Sequence, residues 1–224
     1  MKTTLLSPLL AAGLIAISTA ASAATGNIVV AGTANIFAAG QSSSGAIGSD
    51  GIVPPFISLA SGSTQISFSS VTGTVHIGDP GNPAYGPESP NSQAAGYIGA
   101  LTLPVSDTKI DRTGTSLWAV FLDDTTPTGP HPTASLDFSS GGLGIAFTSL
   151  SPLLRQTFFV GDGLTGTGSG SQQTFFVPTG ATRLFLGVLD GTVVNAAPGA
   201  AYFNNTGAFT VAYDLTTPVP EPET

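Results

Sequence analysis

Apolar, β-branched and aromatic runs, each soon interrupted by Gly, Pro, Asn or Ser, recur along this 224-residue chain. Such punctuation leaves no long stretch in which an apolar face could repeat every three to four residues, as a helix requires. The runs read instead as strands: Ile28–Phe37, Phe56–Leu59, Gln65–His76, Ser116–Leu122, Thr157–Val160, Thr174–Val177, Arg183–Leu189 and Ala208–Tyr213. Gln65–His76 alternates, with Ile66, Phe68 and Ser70 on one face and Ser67 and Ser69 on the other. Many short strands with regular turn signals predict a single-domain, all-β sandwich. One helical turn is expected, where Pro152 follows Ser151 ahead of Leu153, Leu154 and Arg155.

The first residues read differently. Lys2, an apolar run from Leu5 to Ile17 and the small residues Ala21-Ser22-Ala23 follow the order of a secretory signal peptide, cut after Ala23. The apolar run is too short for a membrane span. The expected organisation is a signal peptide over 1–23, a β domain over 24–215 and a proline-rich tail over 216–224. Export follows, to the cell surface, the periplasm or the extracellular space. Removing Lys2 leaves 13 acidic against 4 basic side chains, a formal charge of −9. That balance argues against nucleic acid, which rewards clustered Lys and Arg. The chain has no cysteine, so disulfides, thiolate metal sites and cysteine nucleophiles are excluded. Stability must come from packing and from any bound metal.

Between the strands, Gly78–Asn91 and Asp123–Pro132 are dense in proline and read as surface loops. Gly161–Gly170 is similar to a phosphate-binding loop but lacks the Gly-Lys-Ser/Thr ending and a following helix, so a hairpin connection is expected. The tail from Thr216 to Thr224 should be extended and polyproline-like. Its Val219-Pro220-Glu221-Pro222 resembles the opening of the PEP-CTERM sorting signal of exopolysaccharide-producing Gram-negative bacteria. In that family an apolar helix and a basic cluster follow, and an exosortase processes the segment. The sequence stops at Thr224, so the resemblance implies a truncated tail with exosortase-type sorting machinery as a partner; the alternative is a plain proline-rich tail that matches by accident.

The most informative segment runs from Arg183 to Tyr213. Two β-like runs flank a loop that carries one carboxylate, Asp190, and two adjacent carboxamides, Asn204 and Asn205. Calcium takes six to eight oxygens from such groups and from backbone carbonyls. A loop tied down at both ends by strands can hold them at the required spacing.

The pattern resembles the PA-I galactophilic lectins, calcium-dependent bacterial galactose binders. It begins at Ala34-Asn35 with Ala39-Gly40-Gln41, continues through Ile66–Gly73 and Thr174–Pro178, and is strongest from Leu184 to Val211. The resemblance implies a jelly-roll-like, galactose-binding-domain-like sandwich. It further implies that Ca2+ is held by the Asp190 carboxylate, by Asn204 and Asn205, and by the carbonyls of Ala201 and of a residue near Ile77. Two hydroxyls of a saccharide, free or in exopolysaccharide, would complete the metal's shell. The family's His-Pro-x-Gln segment, which touches the sugar, has no histidine counterpart in Gly78–Gly96, where Gln93 is the one loose candidate. The spacing from Asp190 to Asn204 is also about seven residues longer than in the family, so sugar preference does not carry over. Asp123–Ser151 has no counterpart and reads as an insertion.

Plainer readings compete. Asp190-Gly191 is a common turn pair, Asp123-Asp124 is a rival acidic site or a solvated loop, and Trp118 reads as core rather than as a sugar platform. Catalysis is not expected. A glycosidase needs two facing carboxylates, and no local pattern picks out such a pair. Neither His76 nor His131 comes with a Gly-x-Ser-x-Gly elbow. The expectation is a non-catalytic, calcium-dependent saccharide binder, with a structural surface or matrix protein as the alternative.

Overall fold

The computed structural model of the chain describes residues 21–78, 83–112, 115–190 and 202–218. In chain order its strands are β1 (Ala21–Ala31), β2 (Phe56–Ser58), β3 (Gln65–His76), β4 (Ala84–Tyr85), β5 (Asn91–Ile98), β6 (Thr108–Arg112), β7 (Ser116–Leu122) and β8 (Leu136–Asp137). There follow β9 (Ser149–Leu150), β10 (Thr157–Phe159), β11 (Leu164–Gly166), β12 (Ser169–Gln172), β13 (Thr174–Phe176), β14 (Arg183–Leu189) and β15 (Thr206–Pro218). Two 3-10 turns, Ile36–Ala38 and Ser44–Ile47, are the helical content of the described residues. The protein is an all-β sandwich, as its strand pattern predicts. Most of the signal-peptide segment and residues 219–224 of the tail lie outside the described residues.

One sheet has the order β1-β15-β3-β13-β9, with β4 added on β3; the other runs β10-β7-β14-β2. The two meet through aromatic rings, Phe158 of β10 lying 5.2 Å from Phe175 of β13. All seven residues of β7 are buried, so this strand is covered on both faces. The second cover comes from the segment 123–151, which the sequence marks as an insertion. Its Phe138 stands edge-on to Trp118 at 5.4 Å, and Phe147 packs against Phe138. Trp118 is fully buried, and its Nε1 donates to Ser116 Oγ at 2.7 Å.

Several expected boundaries shift, each for a local reason. The strand expected over Ile28–Phe37 stops at Ala31. The chain turns there, with Ala34 N–H donating to the Ala31 carbonyl, and the Asn35 carboxamide caps a 3-10 turn by accepting from Phe37 N–H. The alternation of β3 breaks at Ser69, where Ala212 pairs with Ser70 but Tyr213 pairs with Phe68. This bulge reverses the phase, so Ile66, Phe68 and Val75 are buried while Ser70 is exposed. The turn expected after Pro152 is not helical: Arg155 has a φ of 66° and its guanidinium binds the carbonyls of Pro104 and Thr128. Gly161–Gly170 leads into the hairpin β11–β12, and the Asp162 carboxylate accepts from the N–H groups of Leu164 and Gly168. Residues 216–218, expected in the unpaired tail, continue β15 and pair with Ala21–Ala23 of β1.

The strand that leads to Asp190 is held on both sides. β14 pairs along its length with β7, and its other edge is taken first by β2 and then by the Ala34–Asn35 segment, Val188 N–H donating to the Ala34 carbonyl at 2.7 Å. So close an approach needs Gly187, because a Cβ there would lie 2.8 Å from Ile36 Cα and 3.0 Å from the Ala34 carbonyl oxygen. Both obstacles are backbone and cannot rotate away. Gly187→Ala is therefore expected to cost about 1–3 kcal/mol, read as a lower midpoint in urea unfolding.

Candidate metal centre

Three chain ends converge at one end of the sandwich. His76 pairs with Thr206, so Ile77 leaves β3 one step beyond the rung that Asn205 precedes. Gly78 then lies against Asn204: a Cβ at this glycine would sit 1.9 Å from Asn204 Nδ2. Asp190 follows the last residue of β14. The registers of the β3–β15 and β7–β14 ladders thus set Ile77 and Gly78 beside Asn205 and Asn204, and Asp190 against the Asn205 side chain. Ala201, expected to supply a carbonyl, lies outside the described residues. Gln93 falls in β5, between the Asn91↔Arg112 and Gly96↔Ile110 pairs where the register shifts.

Asn205 is 5% exposed and Asp190 9%. The Asn205 Nδ2 donates to Asp190 Oδ2 at 2.7 Å and to the Gly32 carbonyl at 3.0 Å. Both partners are acceptors, which fixes which end of the carboxamide is nitrogen. Its Oδ1 must therefore point elsewhere, and it is buried with no hydrogen-bond partner. The Oδ1 of Asn204 is in the same condition. A buried acceptor without a donor costs about 1–3 kcal/mol, a cost that a group bound at Asn204 and Asn205 would remove; Asp50 Oδ2 and Gln173 Oε1 are among the other buried oxygens in this condition.

Tyr202 and Asp50 back this cluster. Tyr202 is fully buried, its hydroxyl accepts from Asp190 N–H at 3.2 Å, and its own N–H donates to Asp50 Oδ1 at 3.0 Å. Burial, together with the nearby charges of Asp190 and Asp50, pushes the phenol far above its ordinary ionisation range. It stays neutral, fixing the position of Asp190 without adding charge. Neither residue stands out in the sequence. Asp50 acts from 152 positions away, and Tyr202, one of two adjacent aromatics with Phe203, has a role that depends on β14 arriving beside it.

The donor set suits a hard cation. Carboxamide and carboxylate oxygens are what calcium takes, and Asp190, Asn204 and Asn205 would hold it here, with the carbonyl near Ile77 as a further ligand. Among the described residues, no group of three or more His, Cys, Asp or Glu side chains gathers to hold a metal. Any ion at this place would therefore rely on the single Asp190 carboxylate and on neutral oxygens.

The rival acidic site is built differently. Asp123 Oδ1 accepts from the N–H and hydroxyl of Thr125, and its carbonyl accepts from the Arg183 guanidinium. The Thr125 hydroxyl, aided by Arg183 and Arg155, holds the Asp123 carboxyl below the usual range. Its Oδ1 thus closes a turn over Thr125. At His131, Nδ1 faces the Thr133 carbonyl at 2.7 Å and so carries a proton, while Nε2 lies 3.6 Å from Asp107. The Ser135 hydroxyl donates to Asp107. This cluster therefore lacks the contact from hydroxyl to imidazole that a serine nucleophile needs.

Tyr202→Phe removes the acceptor of a buried N–H while keeping the ring. The expected loss is about 1–3 kcal/mol of unfolding free energy, measured by urea denaturation in the presence of a chelator. Comparison of the chain with models of protein families, with curated proteins and with solved structures found no match.

Proposed function

We propose that the protein is an exported, non-catalytic, calcium-dependent saccharide-binding protein whose ion is held by Asp190, Asn204 and Asn205. The observation that carries this reading is the Asn205 carboxamide, whose Nδ2 holds Asp190 Oδ2 at 2.7 Å while its buried Oδ1, like that of the adjacent Asn204, has no protein hydrogen-bond partner. A water molecule could also donate to these oxygens, whereas a cation would draw on the carboxamide oxygens and on the carboxylate's negative charge together. Bound calcium would supply a Lewis-acidic centre to which two neighbouring sugar hydroxyls could add. Asp190, fixed by Tyr202 and Asn205, orients the site. Phe203, 68% exposed beside the asparagines, offers an apolar plate for the C–H face of a sugar ring. With one carboxylate against a divalent ion, the affinity expected is that of extracellular modules, roughly 10⁻⁴ to 10⁻³ M.

The burial of Asp190 and Asn205 favours a second reading, in which calcium only pins the last loop of a structural surface or matrix protein. Thermal unfolding with calcium and with chelator, followed by a glycan-panel assay, separates the two. Calcium at a hundredfold excess over its dissociation constant adds about 2.7 kcal/mol, a rise of roughly 5–10 °C for a chain of this size. Asp190→Ala should abolish the rise. A rise together with calcium-dependent glycan binding supports the saccharide reading, and a rise without glycan binding leaves the structural pin. No rise at saturating calcium sinks both.

A further inference from the structure

The opposite end of the sandwich carries a second feature. Thr64 precedes β3 and Thr182 precedes β14, the two strands that lead to Ile77 and Asp190. At the usual rise of a strand, the seven residues of β14 alone separate the two ends by on the order of 25 Å. At this far end two clefts, of about 720 and 620 Å3, share the wall Phe176–Thr179.

Alternation along β13 buries Phe175 completely and turns Phe176 outward, 43% exposed. Leu153, 55% exposed, lines the second cleft. The remaining lining is rich in hydroxyls, including Thr64, Thr179 and Thr182 in one cleft and Ser151 in the other. Among the described residues, no charged side chain lines either cleft.

The walls are also rigid. Val177 N–H donates to the Thr64 carbonyl, Leu59 N–H to the Thr182 carbonyl, and Thr182 N–H to the Leu122 carbonyl, all between 2.8 and 2.9 Å. Phe176 itself sits on a paired strand, opposite Gln65. Little backbone freedom is left to lose along this wall when a ligand binds, which lowers the ordering cost of binding.

We propose that these clefts form a second, calcium-independent site for an uncharged polysaccharide chain lying across Phe176. A pyranose ring has an apolar C–H face and a rim of hydroxyls. The first matches an outward aromatic ring on a fixed strand, and the second matches threonine and serine hydroxyls on both sides of it. The absence of charge selects against uronate and sulfated polymers, which would have no cation to offset their desolvation. Two clefts meeting at one ridge favour a chain of several units over a single sugar, since each alone has the volume of a small-ligand pocket.

Affinity electrophoresis of the full chain tests this, in native gels containing laminarin, dextran or galactomannan, with alginate as the acidic comparison and excess chelator throughout. At least one neutral polymer should retard the protein. Phe176→Ala should weaken that retardation about tenfold, a loss of about 1.4 kcal/mol. Phe176→Trp should keep it, and Leu153→Ser should weaken it in the second cleft. Asp190→Ala should leave it unchanged, which separates this site from the calcium reading. Unfolding curves of the variants establish that the exposed substitutions leave the fold intact. Retardation by none of the neutral polymers, equal retardation of Phe176→Ala, or retardation by alginate alone would overturn the proposal.

Discussion

The register of the β3–β15 ladder is the constraint from which the rest of the candidate centre follows. Ten residues of β15, from Thr206 to Leu215, and Thr216 beyond them find partners on β3, and the bulge at Ser69 takes up one residue between them. Because strand side chains alternate, a slip of one residue would turn every side chain to the other face. The bulge lets Phe68 and Val75 both face inward although their spacing is odd. It also sets His76 against Thr206, and so Ile77 and Gly78 against Asn205 and Asn204. The second ladder, β7–β14, then needs only to end at Leu189 for Asp190 to meet the Asn205 carboxamide. The centre is thus a product of two registers, each fixed by an apolar core some distance away.

Parts of this were legible in the sequence because their chemistry is local. Ser116–Leu122 and Arg183–Leu189 are continuous apolar runs, as strands covered on both faces must be, and the structure gives them the same bounds. Asp190, Asn204 and Asn205 stood out as oxygen donors between two strands. Other parts left no such trace. Apart from Leu164, the strands β11 and β12 are built from Gly, Ser, Thr and Gln, and all of β12 is exposed, so no apolar alternation marks them. β8 and β9 are two residues long and pair in parallel with distant strands. The end of β1 at Ala31 depends on the Asn35 cap, and the tail reads as unpaired through Thr216–Pro218 because its partner lies at the far end of the chain. Asp50 and Tyr202 have meaning only once the fold brings them to Asp190.

If both proposed sites act, the molecule has one at each end of the same pair of strands. Two weak sites on a rigid body can hold a polymer network far better than either alone, provided both reach their targets together. Such an arrangement suits a protein placed among polysaccharide chains. The acidic, cysteine-free composition is compatible with that setting, since neither site depends on a redox state or on a cationic surface.

A crystal structure of the protein grown with calcium, with an anomalous difference map, shows directly whether an ion sits between Asp190 and the two asparagines. A single peak is expected within about 2.3–2.6 Å of the Asp190 carboxylate and of the Oδ1 atoms of Asn204 and Asn205. A map at saturating calcium with no peak there, or with its peak at Asp123-Asp124, would contradict it.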